Sequence, residues 1–323
     1  MIGWAALGLA TGGVAVTEVR AARRERAAGA AFPPEGEMLD VDGRRVHVVV
    51  RGCGPDLVLI HGASGNARDM TMGLVDRLTD RYRVTVFDRP RLGYTDRARP
   101  GLDRVWSREG ETPQEQAMLL LAAARQLGLR QPIVMGHSLG GAVALAWALA
   151  DPEGISAVVD VSGVSMPWPG TLDRIYRING SIAGGALLPP LLAAFAPQRA
   201  ADMALAAIFD PDPVPPDYAS RIGVGLTLRR GSIRANARQV VCLRVAVLEM
   251  SRHYASLSMP VEIVHGEADI IVPPTIHSVP LSRLVPSANL VLLPGVGHMP
   301  HHSRPEAVVA AIDRACVRAT LRG

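Results

Sequence analysis

The segment Gly136-His137-Ser138-Leu139-Gly140-Gly141 fits the pattern G-x-S-x-G, in which a serine lies on a tight turn between a strand and a helix. An apolar run at residues 133–135 precedes it, and an alanine- and leucine-rich run at residues 141–149 follows it. Glycines two residues before and after Ser138 keep side chains out of the turn. The segment therefore predicts a strand, a sharp turn and a helix. The Ser138 hydroxyl would lie at the helix N-terminus, where amide N–H groups favour negative charge.

Short apolar runs along the chain indicate strands that are covered on both faces. The dipeptide Asp42-Gly43 joins the first two runs and is a strong hairpin signal. Capping-box signatures begin at Thr112 and at Ser303 and predict the starts of two helices. This alternation predicts an α/β fold with a mainly parallel sheet and helices on both faces. The predicted strands are residues 38–41, 45–50, 57–60, 84–87, 133–135, 157–159, 261–264 and 290–293.

The alternation of strands and helices divides the chain into three parts. Residues 36–163 and 259–323 carry the alternation and form the predicted core. Residues 164–258 contain no clear strand and are rich in Ala, Leu, Pro and Gly, which predicts a helical lid inserted into the core. Within it, residues 182–196, broken by Pro189-Pro190, are too few to span a membrane and either pack on the core or touch a membrane surface. Residues 1–35 form an apolar segment and a linker.

A serine hydroxyl needs a base to take its proton, and His298 is the candidate base. It lies in a glycine-rich loop directly after a predicted strand, where α/β proteins place catalytic groups. Asp269 also follows a strand and is the candidate acid that orients His298. The order Ser138, Asp269, His298 is the order expected of a hydrolase with a nucleophile elbow. Asp160, at the end of an earlier strand, is the competing acid.

A hydrolase must also stabilise the oxyanion of its tetrahedral intermediate, and backbone N–H groups do this. The glycine-rich segment His61-Gly62-Ala63-Ser64-Gly65 follows the first core strand. The expected donors are the N–H of Leu139, next to the nucleophile, and the N–H of Ala63.

Taken together, these segments make the chain resemble the α/β-hydrolase superfamily, and most of all its esterase, haloperoxidase and epoxide-hydrolase branch. The resemblance rests on the His61-Gly62 loop, the run from Asp88 to Asp96, the elbow at Ser138, the segment His265-Gly266-Glu267-Ala268-Asp269 and Gly297-His298. It implies a sheet of about eight strands with a lid inserted after the sixth, and no metal or organic cofactor.

Two positions depart from the pattern of that branch. Arg91 stands where the loop after Asp88 usually has a small residue. Ser138 stands where similar epoxide hydrolases and haloalkane dehalogenases have an aspartate, which argues against those activities and for acyl transfer. His301 and His302 lie near His298, but their spacing fits no common metal motif, so no metal site is expected.

The chain is predicted to be a serine hydrolase that cleaves a small, apolar carboxylic ester. The same triad also serves hydrolysis of C–C bonds, thioesters and lactones, and peracid formation. A non-catalytic ligand receptor on the same fold is the alternative from another class.

Composition limits the partners that the protein can have. The chain has 323 residues, 34 basic and 30 acidic, and the charges are scattered without a basic block, which argues against nucleic-acid binding. Residues 1–17 are apolar and several arginines follow them. This pattern leaves open a membrane anchor, a plain helix or disordered leader, and a cleaved signal. We expect a cytoplasmic protein or one anchored to the cytoplasmic face of the membrane.

Overall fold

The computed structural model describes residues 2–321, with side chains from residue 12 onward. The strands are β1 (Glu37–Val41), β2 (Arg44–Arg51), β3 (Asp56–Ile60), β4 (Arg83–Phe87), β5 (Ile133–His137), β6 (Ala157–Val161), β7 (Val261–Gly266) and β8 (Ala288–Leu293). They form one eight-stranded sheet in the order β1-β2-β4-β3-β5-β6-β7-β8. Strand β2 is antiparallel to both of its neighbours, and every other pair is parallel. The predicted fold class is confirmed.

Helices cover both faces of this sheet. The helices are α1 (Ile2–Ala31), α2 (Arg68–Thr71), α3 (Pro113–Gln126), α4 (Leu139–Ala150), α5 (Arg174–Gly180), α6 (Ile182–Phe195), α7 (Gln198–Phe209), α8 (Tyr218–Ile222), α9 (Val224–Thr227), α10 (Arg230–Ser251), α11 (Ser278–Leu284), α12 (Pro300–Ser303) and α13 (Pro305–Thr320). In β3, Val58 and Ile60 pack with α3 and α4, while Leu57 and Leu59 pack with α13 on the opposite face. Each such side chain contributes about 1.5–3 kcal/mol by leaving water.

The local signals at turns and helix starts had different outcomes. The hairpin at Asp42-Gly43 is present, with φ of 50° and 76° at its two residues. Thr112 caps α3 in a complete capping box with Glu115. The second capping box was predicted wrongly, because α13 is capped by Arg304 without a side-chain hydrogen bond. Ser303 belongs to the preceding helix α12, and Pro305 fixes the first residue of α13 one position later than the signature implies.

Between β6 and β7 the described chain contains helices α5 to α10 and no strand. The prolines Pro189 and Pro190 do not break this segment as the sequence suggested, since both lie inside α6. Each proline removes one backbone donor. Packing of α6 against α1, α5 and α10 maintains the helix in spite of that loss.

The N-terminal segment is a single helix of 30 residues that packs against α6 and α9. Ala21 is fully buried against Ala193 and Ala194 of α6. Within the described residues, no single helix is both long and apolar enough to cross a membrane. Helices α5 and α6 meet the length and composition criteria only together, and a bend of 108° separates them.

Candidate active site

Ser138 lies alone in the turn between two regular elements, because β5 ends at His137 and α4 begins at Leu139. Its backbone has φ 54° and ψ −120°, a conformation that residues with side chains rarely adopt. A Cβ atom on Gly136 would lie 2.1 Å from the carbonyl oxygen of Gly140. A Cβ atom on Gly140 would lie 2.4 Å from the carbonyl oxygen of Ile60 in β3, so neither glycine of the pattern has room for a methyl group.

His298 and Asp269 form a buried pair beside this turn. Nδ1 of His298 lies 2.7 Å from Oδ2 of Asp269. A carboxylate only accepts hydrogen bonds, so Nδ1 carries the hydrogen and Nε2 is left as an acceptor. Burial alone would raise the pKa of Asp269, but hydrogen bonds from His265 and His298 outweigh it and hold this pKa well below its usual value. Asp269 is therefore ionised and holds His298 in one tautomer.

The carboxylate of Asp269 is itself fixed by further donors that the sequence did not identify. Its Oδ1 accepts the backbone N–H groups of Ile271 and Val272, each at 2.9 Å. Nε2 of His265 lies 3.1 Å from Oδ2 and 2.7 Å from the carbonyl oxygen of Val272. Both partners are acceptors, so Nε2 of His265 carries the hydrogen, and its Nδ1 accepts the hydroxyl of Ser278. His265 was visible in the sequence four residues before Asp269, but the pattern gave it no role.

The competing acid, Asp160, does not reach His298. It is fully buried beneath the turn, where a Cβ atom on Gly141 would lie 2.2 Å from its Oδ1. Neither carboxylate oxygen has a hydrogen-bond partner in the described part of the chain. Burial raises the pKa of Asp160 to about 7. The structure thus places Asp269, and not Asp160, against the histidine.

Ser138 and His298 line one cavity of about 400 Å³. A Cβ atom on Gly62 would lie 3.2 Å from the Cβ of Ser138, so the loop after β3 packs directly against the serine. The outer walls come from the inserted helical segment. They are mainly aliphatic and include Leu192, Leu205, Ile208, Ile222, Val224 and Ile233.

The two predicted oxyanion donors are Leu139, next to the serine, and Ala63, in the loop after β3. Leu139 is the first residue of α4, and Ala63 belongs to the cavity wall. Within residues 2–321, the N–H of neither residue donates a backbone hydrogen bond in the turns and loops around the site. The role of these two N–H groups as oxyanion donors stays a prediction.

The loop that carries Ala63 is held by the inserted helices. Ser64, with φ 58°, donates its N–H to Oδ1 of Asn236 at 2.8 Å and accepts Nδ2 of Asn236 on its hydroxyl at 2.9 Å. The hydroxyl of Thr227 donates to the Ser64 carbonyl oxygen at 2.7 Å. Sequence analysis missed Asn236 and Thr227, because neither residue lies in a recognisable motif.

The same loop is fixed from below by His61 and Arg89. Nδ1 of His61 donates to the carbonyl oxygen of Gly62 at 2.8 Å, and its Nε2 accepts the backbone N–H of Arg89 at 3.0 Å. Burial and the nearby Arg89 lower the pKa of His61 to about 4, which keeps the ring neutral. The Arg89 guanidinium also donates to the Gly62 carbonyl at 3.0 Å. These residues position the loop and do not enter the cavity wall.

Arg91, the departure noted in the sequence, adopts φ 65°. Its N–H donates to the carbonyl oxygens of Thr95 and Asp96, at 3.0 and 3.3 Å. Its guanidinium lies 3.0 Å from a carboxylate oxygen of Asp103 at the surface. The loop therefore closes on its own backbone with the arginine side chain directed to an ion pair.

A second polar cluster lies at the edge of the cavity. Oδ1 of Asp69 accepts the hydroxyl of Tyr218 at 2.7 Å and lies 2.9 Å from Nε2 of His302. Oδ2 of Asp69 lies 3.3 Å from Nε2 of His301. One ligating atom each from Asp69, His301 and His302 lie within 4.8 Å of one another, so these three residues could hold a cation. However, Nδ1 of His301 is buried without the hydrogen-bond partner that usually orients a ligating imidazole.

This cluster contacts His298 through His137. The rings of His301 and His137 lie 4.3 Å apart, and Nε2 of His137 lies 2.9 Å from the carbonyl oxygen of His298. Burial lowers the pKa of both His137 and His301, that of His301 to about 4. Two neutral rings therefore support the backbone of the loop that carries His298.

Known proteins resemble this chain in sequence and in fold. A family model described as the alpha/beta hydrolase family matches residues 57–311. A pimeloyl-[acyl-carrier protein] methyl ester esterase of Aeromonas hydrophila is 29% identical over 277 residues, which cover 81% of this chain and 95% of that protein. An esterase of Exiguobacterium antarcticum has a TM-score of 0.68 at 19% identity, covering 87% of this chain and 99% of that one.

A bacterial membrane phospholipase A has a TM-score of 0.67 at 20% identity, and the match covers 97% of each chain. At such identities the two solved structures establish a shared fold alone. The matched family model spans most of the sequence, and the protein is a hydrolase with esterase-type relatives. The chain belongs to the alpha/beta hydrolase family.

Proposed function

We propose that this hydrolase cleaves carboxylic esters through an acyl-enzyme intermediate, with Ser138 as nucleophile, His298 as general base and Asp269 as the acid that orients it. The observation that carries the proposal is the Asp269–His298 hydrogen bond of 2.7 Å. It leaves the acceptor nitrogen of His298 available in a cavity that Ser138 also lines. A base with a fixed tautomer next to a serine is the arrangement that acyl transfer requires.

In the first step the Ser138 oxygen attacks the ester carbonyl carbon while Nε2 of His298 takes the hydroxyl proton. The resulting imidazolium is stabilised by ionised Asp269. The oxyanion is bound by the N–H groups of Leu139 and Ala63. His298 then gives the proton to the leaving alcohol. Water, activated by the same nitrogen, releases the acid and restores Ser138.

The cavity wall favours an apolar substrate of moderate size. Its aliphatic side chains gain free energy from each buried methylene, about 0.8 kcal/mol. The relative from Aeromonas hydrophila is named as a methyl ester esterase, which supports ester hydrolysis by this chain. The same triad also serves the hydrolysis of thioesters, lactones and C–C bonds and the formation of peracids. Which of these reactions occurs depends on the substrates that the cavity accepts.

The test combines a fluorophosphonate label with hydrolysis of p-nitrophenyl esters. We expect stoichiometric labelling of the wild-type protein and loss of both labelling and turnover, by several orders of magnitude, in Ser138→Ala. Ser162→Ala is the matched control, because Ser162 is a buried serine next to β6 whose hydroxyl has no partner in the described chain.

Labelling of Ser138→Ala at the wild-type level would contradict the proposed nucleophile. Labelling of the wild type without turnover of any ester, thioester or lactone would instead favour the ligand-receptor alternative.

A further inference from the structure

The inserted segment presents an apolar stripe to solvent on the side away from the cavity. Leu187, Leu191 and Phe195 of α6 follow one another at intervals of four residues and are 63%, 48% and 48% exposed. Residues four apart lie on one face of a helix. Leu192, in contrast, lines the cavity. Helix α6 therefore separates the apolar stripe from the candidate active site.

Helix α1 extends this stripe. Val16 and Val19 are 62% and 51% exposed, and they share a surface groove with Arg20. The Arg20 guanidinium lies 5.1 Å from the centre of the Phe195 ring, so the exposed sides of the two helices are contiguous. We call Val16, Val19, Leu187, Leu191 and Phe195 the apolar face. Large side chains exposed side by side in this way usually mark an interaction site.

Positive charge borders the apolar face. Arg20, Arg23, Arg24 and Arg26 are all exposed on α1, and none of them forms an ion pair with a described residue. Glu18 and Glu25 of the same helix both pair with Arg230 of α10, so these three groups together carry one negative charge against four arginines, and the surface stays positive. In addition, the sequence of residues 2–17 contains no charged residue. An apolar surface bordered by unpaired arginines has the chemistry of a protein that lies on an anionic bilayer.

We propose that the apolar face docks on a lipid bilayer that carries anionic headgroups, with the arginines of α1 at the headgroups. This orientation puts α6 between the bilayer and the cavity. A lipid ester that reaches the cavity from the bilayer would pass this helix, whose Leu192 lines the cavity. The choice of lipid esters as substrates rests on the proposed function. Docking itself does not depend on it.

The test is flotation of the full-length protein with vesicles of phosphatidylcholine alone and of phosphatidylcholine mixed with phosphatidylglycerol. We expect the wild type to float with the mixed vesicles and to bind the neutral ones at least tenfold more weakly. Leu187→Glu combined with Leu191→Glu should weaken binding to mixed vesicles at least tenfold. Arg23→Glu combined with Arg26→Glu should weaken this binding by a similar factor, because it replaces positive charge with negative charge at the headgroups. The fold should be kept, because neither arginine side chain bonds to another element of the described chain.

The matched control is Val317→Glu combined with Leu321→Glu. These residues are 60% and 82% exposed at the C-terminal end of α13, which packs on the face of the sheet opposite to α3 and α4. This variant should float like the wild type. Circular dichroism and hydrolysis of a soluble p-nitrophenyl ester show that each variant is folded.

Three results would overturn the proposal. The wild type could fail to float with either vesicle. The α6 variant could float as well as the wild type, which would assign any binding to α1 alone. The α6 variant could change a dimer into a monomer without changing flotation, which would assign the apolar face to a second copy of the chain. Flotation without hydrolysis of any ester would leave the docking proposal intact and contradict the proposed function.

Discussion

Replacing Asn236 with alanine removes two hydrogen bonds that hold Ser64, next to the proposed oxyanion donor Ala63. Each is worth about 0.5–1.5 kcal/mol net, so their loss frees the loop by about 2 kcal/mol. Complete loss of one oxyanion donor costs about 3 kcal/mol of transition-state stabilisation. Because His61 and Thr227 still hold the loop, we expect part of that loss, which corresponds to a fall in kcat of about tenfold to thirtyfold.

The assay is steady-state hydrolysis of a short-chain p-nitrophenyl ester, with kcat and KM measured separately. The effect should appear in kcat, since the oxyanion exists only in the transition state and the intermediate. Ser64→Ala keeps the N–H bond to Asn236 and should lose less. Asn179→Ala is the matched control, because Asn179 is a buried amide in the same cavity wall that bonds only within its own helix. A kcat for Asn236→Ala that equals that of Asn179→Ala would refute the reasoning.

Three further outcomes follow from the same structure. Asp269→Asn should lower kcat roughly a thousandfold or more by favouring the wrong tautomer of His298, whereas Asp160→Asn should keep activity near that of the wild type. The opposite pattern in a kinetic assay would assign the role of the acid to Asp160 on β6. The protein should lose stability as the pH falls from about 6.5 towards 4, because burial lowers the pKa of His61, His277 and His301 to about 4 and the unfolded chain takes up more protons in that window. Each histidine contributes up to about 1.4 kcal/mol per pH unit, and the raised pKa of Asp160 offsets about one of the three. Urea unfolding that gives equal midpoints at about pH 7 and pH 5 would contradict this. Across p-nitrophenyl esters from acetate to dodecanoate, kcat/KM should rise with chain length and then fall when the cavity of about 400 Å³ is full, and a flat series would argue against an apolar pocket.

The sequence alone predicted the strands, the turn at Ser138 and the order of the proposed catalytic residues. These features depend on neighbours within a few residues, such as the glycines that clear the turn and the apolar runs that fill a sheet covered on both faces. The capping box at Thr112 was predicted for the same reason. The signature at Ser303 failed, because the preceding turn of helix competes for that residue.

Tertiary structure decided which of two plausible acids meets His298. Asp160 and Asp269 both lie at or just beyond the end of a strand, and only the packing of the loops after β7 and β8 brings Asp269 within 2.7 Å of Nδ1. It also decided that Asn236 and Thr227 hold Ser64 across sequence separations of 172 and 163 residues. Local spacing determines backbone conformation through short-range sterics and hydrogen bonds. Contacts between distant residues depend on how whole elements pack, and no local pattern in the sequence records that packing.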